Sequence, residues 1–96
     1  MSDRAFVSFN VNEVARVKLT PAGLAERERQ TRELNDVIRS RSPRAQLLPV
    51  GPYADADGYY IAPIWQLMAE FGPMMHMGAP EVPFVDNRIE IEIKPA

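Results

Sequence analysis

The chain has 96 residues, 46% hydrophobic and 25% charged, a composition and length that fit one globular domain, residues 1–96. It contains no cysteine, so disulfides, zinc–thiolate sites and thiolate nucleophiles are excluded. No apolar run approaches the roughly 20 residues of a membrane-spanning helix, and no signal segment is recognisable, so we expect a soluble cytoplasmic protein.

The N-terminal part alternates between apolar and polar side chains. Residues 6–19 place apolar side chains at odd positions, and a period of two predicts a half-buried strand. Residues 10–13, Asn-Val-Asn-Glu, are poor strand material and predict a turn. We therefore expect a short strand over residues 6–10 and a firmer one over 14–19.

A first helix is predicted over residues 21–39. Thr20 suits the N-cap and Pro21 the first helical position. The expected apolar stripe is thin, and Arg27 interrupts it. It consists of Leu24, Leu34, Val37 and Ile38, with Thr31 on the same side.

A strand and a second helix are predicted next. Residues 54–58 read as a turn into an aromatic and β-branched strand over 58–61. A helix over 63–71 follows, and Gly72 is suited to its C-terminal cap. Its apolar face has helical spacing and predicts core residues. These are Ile64, Leu67, Met68 and Phe71.

The C-terminal part begins with a loop rich in methionine and proline. Apolar side chains of this loop are expected to cover the core, methionine being a flexible gap-filler; they are Met74, Met75, Val82 and Phe84. Asp86-Asn87 is a turn signal. Residues 88–94 then alternate between charged residues and isoleucines, which predicts a strand.

These elements predict an α+β fold. We expect a small antiparallel sheet built from residues 6–19, 58–61 and 88–94. The two helices, over residues 21–39 and 63–71, are expected to pack mainly on one face of this sheet.

The residues that catalysis and metal binding require are scarce. His76 is the single histidine, and no Gly-rich phosphate loop occurs. Asp55-Ala56-Asp57-Gly58 resembles the start of a calcium loop, but its remaining ligands are missing. We therefore predict that the chain is not an enzyme and takes no metal or other cofactor.

Two groups of residues are candidates for partner binding. Tyr59, Tyr60 and Trp65 are of the types enriched in interface hot spots, although a tyrosine that covers the domain edge is equally compatible with the pattern. The second group, Arg29, Arg32 and Arg39, lies on the first helix. Acidic residues interrupt that surface, and the net charge is −2, so nucleic acid is not the expected partner.

Several segments together resemble a set of small phage and prophage proteins. The segments are V-N-E-V-A-R-V-K-L-T-P-A-G, D-G-Y-Y, W-Q-L-M-A-E-F-G-P and M-G-A-P-E-V-P-F with N-R-I-E-I. The resemblance covers both ends, omits residues 24–52 and departs from the pattern at Pro63. It implies an accessory phage protein acting in the host cytoplasm.

Three functional hypotheses follow from the residues and the resemblance. The first is a protein that binds and inhibits a host protein, such as an anti-CRISPR-like anti-defence inhibitor. The second is a self-assembling accessory protein that forms a homodimer or larger homo-oligomer. The third is nucleic-acid or nucleotide binding through the arginine-rich helix.

Overall fold

A computed structural model describes residues 4–92 of the chain. Its strands and helices are β1 (Val14–Val17), α1 (Pro21–Arg41), β2 (Tyr60–Pro63), α2 (Ile64–Phe71) and β3 (Glu90–Ile91). The strands form an antiparallel sheet in the order β2-β1-β3. The predicted α+β fold, with a small antiparallel sheet and two helices, is confirmed, whereas the packing of both helices on one face stays a prediction.

The strands are shorter than the alternating patterns predicted. Residues 6–10 form no strand and are exposed, because a turn at Asn10 leads this segment away from the sheet. There the Asn10 side chain accepts the N–H of Asn12, and the Asn10 carbonyl accepts that of Glu13. Of the strand predicted over residues 88–94, Glu90–Ile91 pairs with β1, and residues 93–94 lie outside the described part.

Both helices begin near their predicted positions. The Thr20 hydroxyl accepts the Gly23 N–H at 3.1 Å and donates to the Val82 carbonyl, so the predicted cap also ties α1 to the C-terminal loop. The second helix begins at Ile64, one residue late, because Pro63 still pairs with Val14. None of the described helices is long and apolar enough to cross a membrane.

The hydrophobic core is centred on Phe71. Its ring makes edge-to-face contacts with Tyr60, at 6.1 Å between centroids, and with Phe84, at 5.1 Å. The other core residues are Ala15, Val17, Ala62, Ile64 and Leu67. Met68, expected in the core, is 40% exposed, because the buried side of α2 is the narrower stripe through Ile64, Leu67 and Phe71.

The loop after α2 covers the core less completely than predicted. Phe84 is buried and Met74 packs against the core. Met75 and Val82, which were expected to do the same, are exposed.

The buried side of α1 is polar, contrary to the predicted apolar stripe. Leu34 and Val37 are nearly half exposed, whereas Gly23, Thr31 and Asn35 are buried. The Asn35 amide exchanges two hydrogen bonds with the Leu48 backbone, at 2.8 and 2.9 Å. Because these bonds need a polar side chain at the contact, α1 attaches partly through hydrogen bonds; Leu24 and Ile38 are half-buried, and Leu34 and Val37 are left exposed.

Arg27 is the centre of this polar contact. Its guanidinium lies 3.5 Å from the Glu70 carboxylate and within 6 Å of the Tyr53 and Tyr60 rings. The Tyr60 hydroxyl donates to Glu70 at 2.7 Å. Burial, followed by this hydrogen bond, raises the pKa of the Tyr60 phenol above its ordinary value. The residue that interrupts the predicted stripe therefore joins α1 to α2 and β2.

Replacing Gly23 by alanine is expected to destabilise the fold, although alanine is the better helix former by about 1 kcal/mol. A Cβ at this position would collide with the Pro83 carbonyl oxygen, so α1 would have to move off the C-terminal loop. Gly72→Ala is the matched control, because nothing lies within 4 Å of its Cβ position. Urea unfolding should show a loss for Gly23→Ala alone; equal midpoints would contradict the contact.

Removing the Arg27 side chain should cost more stability than removing an exposed arginine. Arg27→Ala leaves the largely buried Glu70 without its cation, and we expect a loss of about 2–3 kcal/mol in the free energy of unfolding. Arg39→Ala, in which only the exposed ion pair with Asp36 is lost, should cost roughly 0–1 kcal/mol. Chemical denaturation compares the two; similar losses would refute a central role for Arg27.

Candidate protein-binding face

One face of the sheet is exposed, and we call it the outer face. Strand residues point alternately to opposite faces, and Ala15 and Val17 point into the core. Their neighbours Val14 and Arg16 therefore lie on the outer face. The strand register sets Ile61 and Glu90 on either side of Arg16, so the centre of this face is a row of one aliphatic and two charged side chains.

Tyr59 extends the outer face beyond the first residue of β2. The Arg16 guanidinium lies 4.0 Å from the centroid of its ring, and the Lys18 ammonium lies 5.1 Å away. Arg16 also pairs with Glu90 at 3.0 Å, with both side chains half exposed. Cation–π and ion-pair contacts hold the arginine flat along the sheet, so this part of the face is ordered and polar.

A turn forms the wall of a groove beside Tyr59. Asp86 and Asn87 both have positive φ, 57° and 55°, a conformation that these two residue types tolerate best after glycine. The predicted Asp86-Asn87 turn is therefore confirmed. The groove between this turn and β1 has a volume of about 530 Å³ and is lined by Arg16, Lys18 and Arg88 among others.

Aliphatic and aromatic side chains occupy the other end of the outer face. Ile61 is 54% exposed and Val14 47%. Trp65, 51% exposed, lies two residues beyond β2, and its backbone N–H donates to the Val11 carbonyl at 3.0 Å. Exposed apolar side chains grouped in this way are typical of protein-binding surfaces, and tryptophan is enriched in their hot spots.

The structure separates the three aromatic residues predicted to bind a partner. Tyr59 is half-buried and Trp65 exposed, and they flank β2 at its two ends. Tyr60 points to the opposite face, where its ring packs in the core and its hydroxyl is bonded to Glu70. Its ring offers a partner no accessible face, so Tyr60 does not belong to the candidate face.

The three predicted arginines lie on α1, away from the sheet, and all are exposed. Arg29 pairs with Glu26 at 2.6 Å and with Glu33 at 2.8 Å, and its hydrogen bonds to Glu26 lower the pKa of that carboxyl. Arg39 pairs with Asp36 at 3.1 Å. Because carboxylates of the same helix neutralise two of the three cations, α1 presents a mixed surface. The role predicted for these arginines stays untested.

Other residues of the outer face were absent from the predicted set. Arg16 and Lys18 occupy the polar positions of the alternating segment, so their side of the strand was readable from the sequence. The contact of these two cations with Tyr59 could not be read from the sequence, because it depends on the pairing of β1 with β2. His76, considered for metal binding, lies exposed in the loop after α2, and no group of three potential ligands occurs within residues 4–92.

The outer face thus joins an aromatic ring in contact with two cations to a patch of exposed apolar side chains. Such a surface has the chemistry of a protein interface, in which apolar contact supplies affinity and charges select the partner. No protein-family model, curated protein or solved structure matches the chain.

Proposed function

We propose that this chain is a non-enzymatic binding protein that acts by covering a surface of another protein. The observation that carries the proposal is the outer face, where Ile61 and Val14 are exposed beside the Arg16–Tyr59 stack. Burial of exposed isoleucine and valine side chains by a partner is favourable, by about 25 cal/mol for each Å² of apolar surface removed from water.

The arrangement of charges supports a specific partner over indiscriminate adhesion. Arg16 and Lys18 lie at the Tyr59 end of the face, while Glu90 pairs with Arg16 at its centre. A partner must therefore match both signs, since a misplaced like charge costs several kcal/mol. The Arg16–Glu90 pair also holds two long side chains in place before binding, which lowers the entropy lost on association.

The partner in this proposal is a host protein, and the chain is a phage accessory protein that inhibits it by occupation. The resemblance to small phage and prophage proteins motivates the phage origin and the anti-defence role. Inhibition by occupation requires a stable surface and no chemistry, which suits a domain of this size.

The test uses the chain as bait in a pull-down from host lysate, followed by mass spectrometry and a binding titration with the captured protein. Ile61→Arg should weaken binding at least about tenfold, because it places a charge where an apolar contact is desolvated. Val37→Arg is the matched control, since Val37 is a similarly exposed aliphatic residue on α1. We expect it to bind as the parent chain does.

Two results would count against the proposal. If no protein is enriched by the parent chain over an unrelated bait, the chain does not act as a protein binder under these conditions. If Ile61→Arg and Val37→Arg both bind like the parent, the outer face is not the contact surface.

A further inference from the structure

The segment of residues 5–11, which we call the arm, has a strand sequence without a strand partner. Phe6 and Val7 are almost fully exposed, and Phe9 and Val11 are more than half exposed. Within residues 4–92 the backbone groups of residues 5–9 make no hydrogen bond. Both the side chains that favour a sheet and the backbone groups that build one are therefore unused.

The sheet has an open edge at β3, where no further strand is paired in the part of the chain that the structure describes. Ile91 is paired with Ala15 and faces inward in the same row as Ala15 and Ala62. The two alanines are buried, yet Ile91 is 36% exposed, because within the described residues no strand lies beyond β3. An additional strand at this edge would cover Ile91 and complete the row.

A groove rich in methionine adjoins the same edge. It has a volume of about 430 Å³ and lies between the loop after α2 and Ile89, which faces the core side like Ile91. Its lining includes Met74, Met75 and Met77. Methionine adapts its shape to an incoming side chain and makes favourable sulfur–aromatic contacts, so this groove suits a phenylalanine.

The arm is too short to pair along this edge within its own chain. Its last residue, Val11, accepts the Trp65 backbone N–H as Glu13 accepts that of Ile64, so this end of the arm lies in line with β1. Two strand spacings of about 4.8 Å separate it from the space beyond β3. A seven-residue arm, about 23 Å long when extended, would spend nearly half of its length on this crossing, and Phe9 would lie in the crossing.

We propose that the arm of one copy adds as a strand to the β3 edge of a second copy, with Val7 and Phe9, which share one face of a strand, on the core side and the Phe9 ring in the methionine groove. Each copy carries both the arm and the receiving edge, so two copies satisfy both in one reciprocal, two-fold exchange. A different protein would satisfy only one of them. This dimer is independent of the function proposed above.

The surface available is sufficient for a stable dimer. Val7 is 89% exposed and Phe9 57%, so these two side chains of one strand face bring roughly 200–300 Å² per arm. Reciprocal exchange buries two arms and the matching area of two receiving edges, so they account for about 1,000 Å², near the lower limit for specific interfaces. The backbone hydrogen bonds of the arm add to this.

The first experiment measures molecular mass by light scattering and sedimentation, with circular dichroism as the check on folding. The parent chain should have twice its chain mass of 10.8 kDa, and the double variant V7D/F9D should have the single mass. The folded monomer should persist, because both side chains are exposed and removed from the core. L34D/V37D, which changes two exposed residues on α1, is the matched control and should remain dimeric.

A second experiment identifies the contact itself. The chain has no cysteine, so V7C in one chain and M77C in another can be mixed and oxidised without side reactions. Position 7 shares the strand face of Phe9, so docking of the arm raises the effective concentration of the two thiols to roughly millimolar. The V7C–M77C disulfide should therefore exceed the V7C–V37C product of the control mixture about tenfold or more.

The proposal is overturned if the parent chain is a monomer at about 100 µM, which would place the dimer Kd above that value. It is also overturned if V7D/F9D remains a dimer, or if the V7C–M77C product is no more abundant than the control. In these cases the arm has no partner in a second copy, and binding of a host protein at the outer face is unaffected.

Discussion

Phe71 is the residue at which the separate parts of the chain meet. Its ring lies between Tyr60 of β2 and Phe84 of the C-terminal loop, and its own helix follows directly from β2. Phe84 in turn is bridged to Leu19, next to the start of α1. The two aromatic contacts of Phe71 therefore connect the sheet, both helices and the loop, on the side of the sheet opposite the outer face.

The sequence was sufficient for the features that depend on short stretches of chain. The Thr20 cap, the Asp86-Asn87 turn and the apolar spacing of Ile64, Leu67 and Phe71 each follow from neighbouring residues. The buried side of α1 does not, because Arg27 and Asn35 are stabilised by Glu70 and by the Leu48 backbone, which are distant in the sequence. Hydropathy alone selects Leu34 and Val37 for the interior, and no local signal corrects this.

The candidate face, too, has features that follow from neighbouring residues and features that depend on distant ones. Alternation along β1 assigns Arg16 and Lys18 to the solvent side, but their contact with Tyr59 requires the pairing of β1 with β2. The arm is the opposite case, because its alternating pattern predicts a strand over residues 6–10 that the single chain does not form. An alternating pattern indicates that a segment is suited to strand pairing, but it does not show which strand it pairs with.

The turn at Asp86-Asn87, which forms the groove wall, is an insertion between two backbone pairings. Between the Leu19–Phe84 bridge and the Arg16–Glu90 pair, β1 advances three residues while the opposite segment advances six. The additional residues of the longer segment form a turn that is held by its own hydrogen bonds, from the Asn87 N–H to the Phe84 carbonyl and from the Arg88 N–H to the Val85 carbonyl. Because the pairings on either side do not depend on it, this turn can change in length and charge during evolution, and binding preference can diverge without any change to the core.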